Sequence, residues 1–77
     1  MPHVHVRHFP KDLTPERLAA FDAAVTAAVT ATFAVDEEVV SISLEPVAPE
    51  DWDERVVTDI AAHRELLLKA PGYWDGA

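Results

Sequence analysis

The sequence contains no cysteine and only two glycines, both near the C-terminus. Without cysteine, disulfides cannot stabilise the chain, and this composition is compatible with a reducing compartment. Two glycines at that end exclude a phosphate-binding glycine loop, and no serine or cysteine nucleophile motif occurs. The sequence therefore carries no signature of nucleotide binding or of covalent hydrolysis.

Basic residues are also scarce, with 6 lysines and arginines against 14 acidic residues and a net charge of -8. A surface of this charge repels phosphate backbones and anionic lipids, so we expect no nucleic-acid or membrane partner. No run of 18 apolar residues and no signal-peptide pattern is present. We therefore expect a cytoplasmic protein.

With 77 residues, the chain is long enough for one domain, predicted over residues 1–77. A domain of this size buries only about 60% of the surface that its unfolded chain exposes, so it is marginally stable alone. Because disulfides are excluded, we expect homo-oligomerisation to supply the missing stability.

Hydrophobic periodicity predicts two strands and two helices. Apolar and polar residues alternate over residues 3–9 and again over 39–45, which is typical of half-buried strands. Between them, Thr14 as N-cap and Pro15 at the first helical position predict the start of a long helix. A second helix is predicted over residues 53–69, including Leu67 and Leu68 among its buried residues.

A strand, a helix and another strand in this order predict a right-handed parallel crossover. The predicted fold class is α/β, a β-α-β subunit with two parallel strands and two helices. Two strands have open edges on both sides, so we expect oligomerisation to complete the sheet. One sheet face is apolar and is expected to pack on the helices. The other is polar, is expected at or near a subunit interface, and comprises His3, His5, Arg7, Ser41, Ser43 and Glu45.

Pro2 follows the initiating methionine and leads directly into the first strand. If Met1 is removed, Pro2 gains a free secondary amine, whereas with Met1 attached its nitrogen is an amide without basicity. The pKa of an α-amine is about 7.7 to 8.0. Burial or a nearby cation lowers that pKa towards the range that suits a general base. Pro2 is therefore the candidate catalytic residue.

Two cations lie near Pro2 in the sequence. Arg7 and Lys11 could lower the pKa of the amine and hold an acidic substrate. Alternatively, Arg7 pairs with Glu45 across the strands, and Lys11 is a solvated loop residue.

Aromatic residues and histidines supply further candidates. Trp52 follows the second strand, where ligand crevices form in open α/β sheets, so it either walls a pocket or packs its loop on the core. Tyr73 and Trp74 in the C-terminal tail are expected to cover a surface, with a neighbouring subunit as one candidate.

His3 and His5 offer two metal ligands where zinc needs three or four, so we expect no metal and favour polar interface histidines.

Four short features follow one another along the whole chain: Met1-Pro2-His3, Phe9-Pro10, Pro49-Glu50 with Trp52, and Lys69 with Pro71-Gly72-Tyr73. Their order and spacing resemble the 4-oxalocrotonate tautomerase family, and more closely its dimeric subgroup that acts on the enol of phenylpyruvate. The resemblance implies a cofactor-free keto-enol tautomerase of a small 2-keto acid or its enol. It also implies that the Pro2 nitrogen is the general base, and it favours a homodimer over a hexamer.

The family's hexameric members place two arginines around a dicarboxylate. Here the first position falls at Asp12, directly after Lys11, and the second at Ser41. We therefore expect a monoacid with an apolar or aromatic body as substrate. The candidate substrate-binding residues are Lys11, Arg7, Ser41 and Trp52.

Three other functions stay open at this point. A protonated Pro2 could act as an acid in a hydratase or dehalogenase of unsaturated acids. A retained Met1 would favour a catalytically silent oligomeric binding module of the same fold. His3 and His5 could contribute to a metal site.

Overall fold

The computed structural model describes residues 1–74, which fall into two compact units, one over Met1–Val47 and one beginning at Ala48. The first unit contains, in order, β1 (His3–His8), α1 (Pro15–Phe33), a 3-10 turn (Glu37–Val39) and β2 (Ser41–Pro46). This order confirms the predicted β-α-β crossover.

β1 and β2 form a two-stranded parallel sheet in which His3 lies opposite Ser41 and Arg7 opposite Glu45. The parallel pairing confirms the predicted α/β fold class. β2 begins at Ser41 rather than at residue 39, because the 3-10 turn takes up the preceding residues. Each strand has one partner in the described chain, so both outer edges of the sheet are open.

Local signals set both ends of α1. The Thr14 hydroxyl accepts a hydrogen bond from the Arg17 N–H at 3.2 Å, and Pro15 occupies the first helical turn, as predicted. The helix ends at Ala34, whose backbone is left-handed with φ 55° and ψ 51°. No helix within residues 1–74 has both the length and the apolar character needed to cross a membrane.

The second unit departs from the predicted helix over residues 53–69. A π-helical segment, Asp53–Val57, runs directly into α2, Thr58–Ala62. His63 then leaves helical geometry with φ -127° and ψ 38°, and a separate 3-10 turn follows at Arg64–Leu66. The prediction of one continuous helix was therefore wrong beyond Ala62.

The early end of α2 changes the expected burial. Leu68 is fully exposed and Leu66 is 76% exposed, while Leu67 is half-buried. The prediction that Leu68 is buried was wrong, because the helix that would have turned it inward has already ended. Val56, within the π-helical segment, is buried as predicted.

Each of the two units buries few apolar side chains. Among residues 1–74, Val47 in the first unit is fully buried, Val56 in the second unit is 6% exposed, and every other hydrophobic residue is more exposed than these two. Several large apolar side chains stay substantially exposed, including Phe9 at 51% and Phe33 at 63%. Apolar exposure on this scale, beside open sheet edges, is typical of a subunit that pairs with further copies.

The left-handed Ala34 gives a test of how α1 ends. An L-residue with a Cβ is strained in this region by about 1 kcal/mol, whereas glycine adopts it freely. We expect Ala34→Gly to raise the free energy of unfolding in urea by about 0.5 to 1 kcal/mol.

The same substitution inside α1 is the matched control. Ala31 is exposed and helical, so Ala31→Gly is expected to lower the free energy of unfolding by about 1 kcal/mol. If both variants lose stability equally, the left-handed end of α1 does not form in solution.

Candidate active site

Pro2 lies immediately before β1 and is half-buried. Its carbonyl accepts a hydrogen bond from the Ser41 N–H at 3.2 Å, which ties this end of the chain to the first residue of β2. The side chain of Met1 is 99% exposed, so its removal costs no packing. The hydrogen bond to the Pro2 carbonyl therefore restrains Pro2 against β2.

His3 is held between the two serines of β2. A hydrogen bond of 2.7 Å joins His3 Nδ1 to the Ser41 hydroxyl, and a longer one of 3.4 Å joins its Nε2 to the Ser43 hydroxyl. Both serines face His3 because the parallel register sets Ser41 directly opposite it. We call these three residues the histidine clamp.

Further along the same sheet face, Glu45 contacts the side chains of both His5 and Arg7. His5 Nε2 lies 2.9 Å from Glu45 Oε1, and Arg7 Nε lies 3.6 Å from the same oxygen. All three side chains are about one-third exposed, so water screens these interactions. The cross-strand pairing expected for Arg7 is confirmed.

The histidines of this face do not assemble with further ligands. The structure, over residues 1–74, contains no group of three or more histidine, aspartate or glutamate side chains placed to hold a metal ion. His3 and His5 stand with ring centroids 6.4 Å apart, each engaged with β2.

A groove of about 250 Å³ lies between the carboxyl-terminal half of the sheet and the first turns of α1. Its walls are mainly apolar, and its polar lining is contributed by His8, Lys11 and Arg17. Its apolar residues are Val6, Phe9, Leu13, Leu18, Phe21 and Leu44. Among the described residues no acidic side chain lines this groove, although the chain carries a net charge of -8. The groove suits an apolar body with one negative group.

Arg17 was not identified from the sequence as a site residue. The signal was nevertheless present, because Arg17 precedes Phe21 by four residues and side chains at that spacing share a helix face. His8 also lines the groove beside Val6, as its parity in β1 predicts.

Lys11 and Pro2 lie at opposite ends of β1. Pro2 precedes the strand, whereas Lys11 follows it and lines the groove beside His8. At about 3.3 Å per residue, the six-residue strand is about 20 Å long. A lysine side chain does not span that length, so the structure does not bring these two predicted site residues together within one subunit.

Trp52 is half-buried in the second unit and donates a hydrogen bond from Nε1 to the Tyr73 hydroxyl at 2.9 Å. The Arg64 guanidinium lies 5.3 Å from the ring centroid of Trp74. Both tail aromatics thus contact residues of their own unit, although Tyr73 stays 65% exposed.

Comparison with known proteins gives a consistent result. No family model matches the chain. Tautomerase PptA of Escherichia coli strain SMS-3-5 / SECEC is 34% identical over 73 residues, covering 95% of this chain and 97% of the relative. The Tautomerase PptA proteins of Escherichia coli O157:H7 and of strain K12 / DH10B are each 33% identical over 73 residues. These alignments again cover 95% of this chain, with 97% and 95% of the respective relatives. The chain therefore belongs to the 4-oxalocrotonate tautomerase family, as a PptA-like tautomerase.

Proposed function

We propose that the chain is a cofactor-free keto-enol tautomerase of a small 2-keto acid or its enol, with Pro2 as general base once Met1 is removed. The observation that carries this proposal is the position of Pro2. It stands half-buried at the head of β1 with its carbonyl fixed to Ser41, in a chain of a tautomerase family. The proposed secondary amine would then sit on a residue whose carbonyl side is fixed to β2.

The reaction needs only a proton carrier. The Pro2 nitrogen takes the proton of the enol hydroxyl, and the O–H bonding pair stays on oxygen to give an enolate. The resulting Pro2 ammonium then gives its proton to the neighbouring carbon, where the electron pair of the carbon-carbon double bond forms the new C–H bond while the carbonyl forms. This step yields the ketone and regenerates the amine. Atoms and charge balance without an oxidant, a metal or a cofactor.

The enolate requires a positive or hydrogen-bonding partner, since preorganised electrostatics usually supply the largest part of catalysis. Lys11 of the same subunit lies beyond the other end of β1, a strand about 20 Å long. We propose that two copies pair antiparallel along the free edges of β1, which brings Pro2 of one copy beside the groove of the other. Lys11 then binds the substrate carboxylate across the interface, and the apolar groove receives the rest of the acid.

The other candidate residues have less support for a contact with the substrate. Arg7 is engaged with Glu45, and the Ser41 hydroxyl is engaged with His3, so their contact with substrate stays a prediction. Trp52 is proposed as a substrate contact on the family resemblance. A homodimer is the favoured assembly, with a hexamer as the alternative, and the cytoplasmic location stays a prediction.

Removing the proline ring tests the base. We expect Pro2→Ala to lower kcat/KM for the enol of phenylpyruvate at least about 100-fold, in line with the usual contribution of a positioned general base. Ketone formation followed by absorbance is the measurement. The matched control is the wild-type sequence with an uncleaved N-terminal extension, which keeps every side chain but acylates the Pro2 nitrogen. Turnover at the wild-type rate in either protein would refute the role of Pro2.

The pH profile distinguishes a base from an acid at Pro2. A general base must be unprotonated, so we expect kcat/KM to rise with pH and to level off above the pKa of the Pro2 amine. An ordinary α-amine has a pKa of about 7.7 to 8.0, so the profile is measured across that range. Activity that falls as pH rises through the same range would instead indicate the hydratase or dehalogenase alternative.

Mixing subunits tests whether Lys11 acts across an interface. We expect Lys11→Ala to raise KM about 10-fold or more, and Lys11→Arg, which keeps the charge, to recover most of the loss. If sites are shared, unfolding and refolding an equal mixture of Pro2→Ala and Lys11→Ala chains restores about one quarter of wild-type activity, because half of the dimers carry one intact site. A mixture no more active than the average of its parents would show that Lys11 does not act across subunits.

A further inference from the structure

We propose that Ser41 is a positioning residue for Pro2, which it holds through its own N–H and through the hydrogen bond of its hydroxyl to His3. This inference rests on the proposed function of Pro2. It assigns the Ser41 hydroxyl the role of restraining the backbone at Pro2 instead of contact with the substrate carboxylate.

Ser41 makes two contacts with consecutive residues of the N-terminal end. Its N–H donates to the Pro2 carbonyl at 3.2 Å, and its hydroxyl joins His3 Nδ1 at 2.7 Å. The first contact belongs to the backbone and survives any side-chain substitution. The second depends on the hydroxyl and is the shorter of the two bonds that the histidine clamp makes to the imidazole.

Pro2 lacks two backbone restraints that an internal strand residue has. A proline has no amide N–H to donate to a sheet, and removal of Met1 also removes the peptide bond that precedes it. Chain ends fray when little holds them, and this end belongs to a sheet of only two strands. His3 is the first residue after Pro2, so fixing its ring on β2 limits rotation of the backbone that carries the amine.

The chemistry of the clamp suits a fixed support. A hydroxyl can donate or accept a hydrogen bond, so Ser41 and Ser43 can satisfy the imidazole in either neutral tautomer or as the cation. The support therefore does not depend on the charge of His3. Loss of the Ser41 hydroxyl should lower the rate at every pH without moving the inflection of the pH profile.

The magnitude follows from the sensitivity of proton transfer to geometry. A misplacement of about 1 Å in a reacting group costs up to about 100-fold in rate, and partial loosening of a chain end costs less. We expect Ser41→Ala to lower kcat about 10-fold with KM changed less than about twofold. Ser41→Thr, which keeps the hydroxyl, should recover most of kcat.

Two further variants serve as controls in the Met1-processed full chain. Ser43→Ala removes the longer bond of 3.4 Å and should lower kcat by less than Ser41→Ala does. Thr26→Val removes a hydroxyl that donates to Asp22 on α1 at 2.9 Å, at a distance from the clamp, and should leave kcat unchanged.

Hydrogen exchange is the second measurement, and Ser41→Ala should speed exchange of the Val4 amide while leaving helical amides of α1 protected.

The outcomes separate this inference from the proposed function. A rise in KM at constant kcat would show that Ser41 contacts the substrate, and an unchanged kcat would show that the clamp is dispensable. Either result overturns the inference about Ser41. The proposed function still stands in that case if Pro2→Ala has lost its activity. Full activity in Pro2→Ala would overturn both, because no amine would then need to be positioned.

Discussion

The parallel register of β1 and β2 is the constraint on which the rest of this subunit depends. It sets Ser41 opposite His3 and Glu45 opposite Arg7, so that one sheet face carries a hydrogen-bonded pair and, separately, an ion pair. A shift of one residue would turn every side chain of β2 to the other face and dissolve both groups. The position of the candidate base is thus fixed by pairing between strands that are far apart in sequence.

The same sheet explains why assembly and activity are expected to be linked. Two strands leave two open edges, and among the described residues only Val47 is completely buried. The strand that carries Pro2 at one end carries a groove with Lys11 at its other end. Under the proposed function, one subunit holds the parts of a site without joining them, and we expect a second copy to supply both stability and proximity.

Local signals made much of the first unit predictable. The alternation of residues 3–9, the Thr14-Pro15 start of α1 and the parity that groups Arg7 with the polar face all reappear in the structure. The end of α2 was not predictable, because His63 leaves helical geometry eight residues before the Pro71 that marked the expected stop. The hydrogen bond between His3 and Ser41 was also out of reach, since it requires the register and not merely the strands.

The groove lined by His8, Lys11 and Arg17 has an electrostatic consequence for its proposed role as a substrate site. Lys11 and Arg17 are its cationic groups on a chain of net charge -8, so an anionic acid is repelled at long range and attracted only over the last few ångströms. Salt shortens the range of the repulsion more than it weakens a contact made inside the groove. Under the proposed function, encounter with an anionic substrate is therefore slowed in dilute buffer and eased as the salt concentration rises, the reverse of an enzyme whose positive surface attracts its substrate.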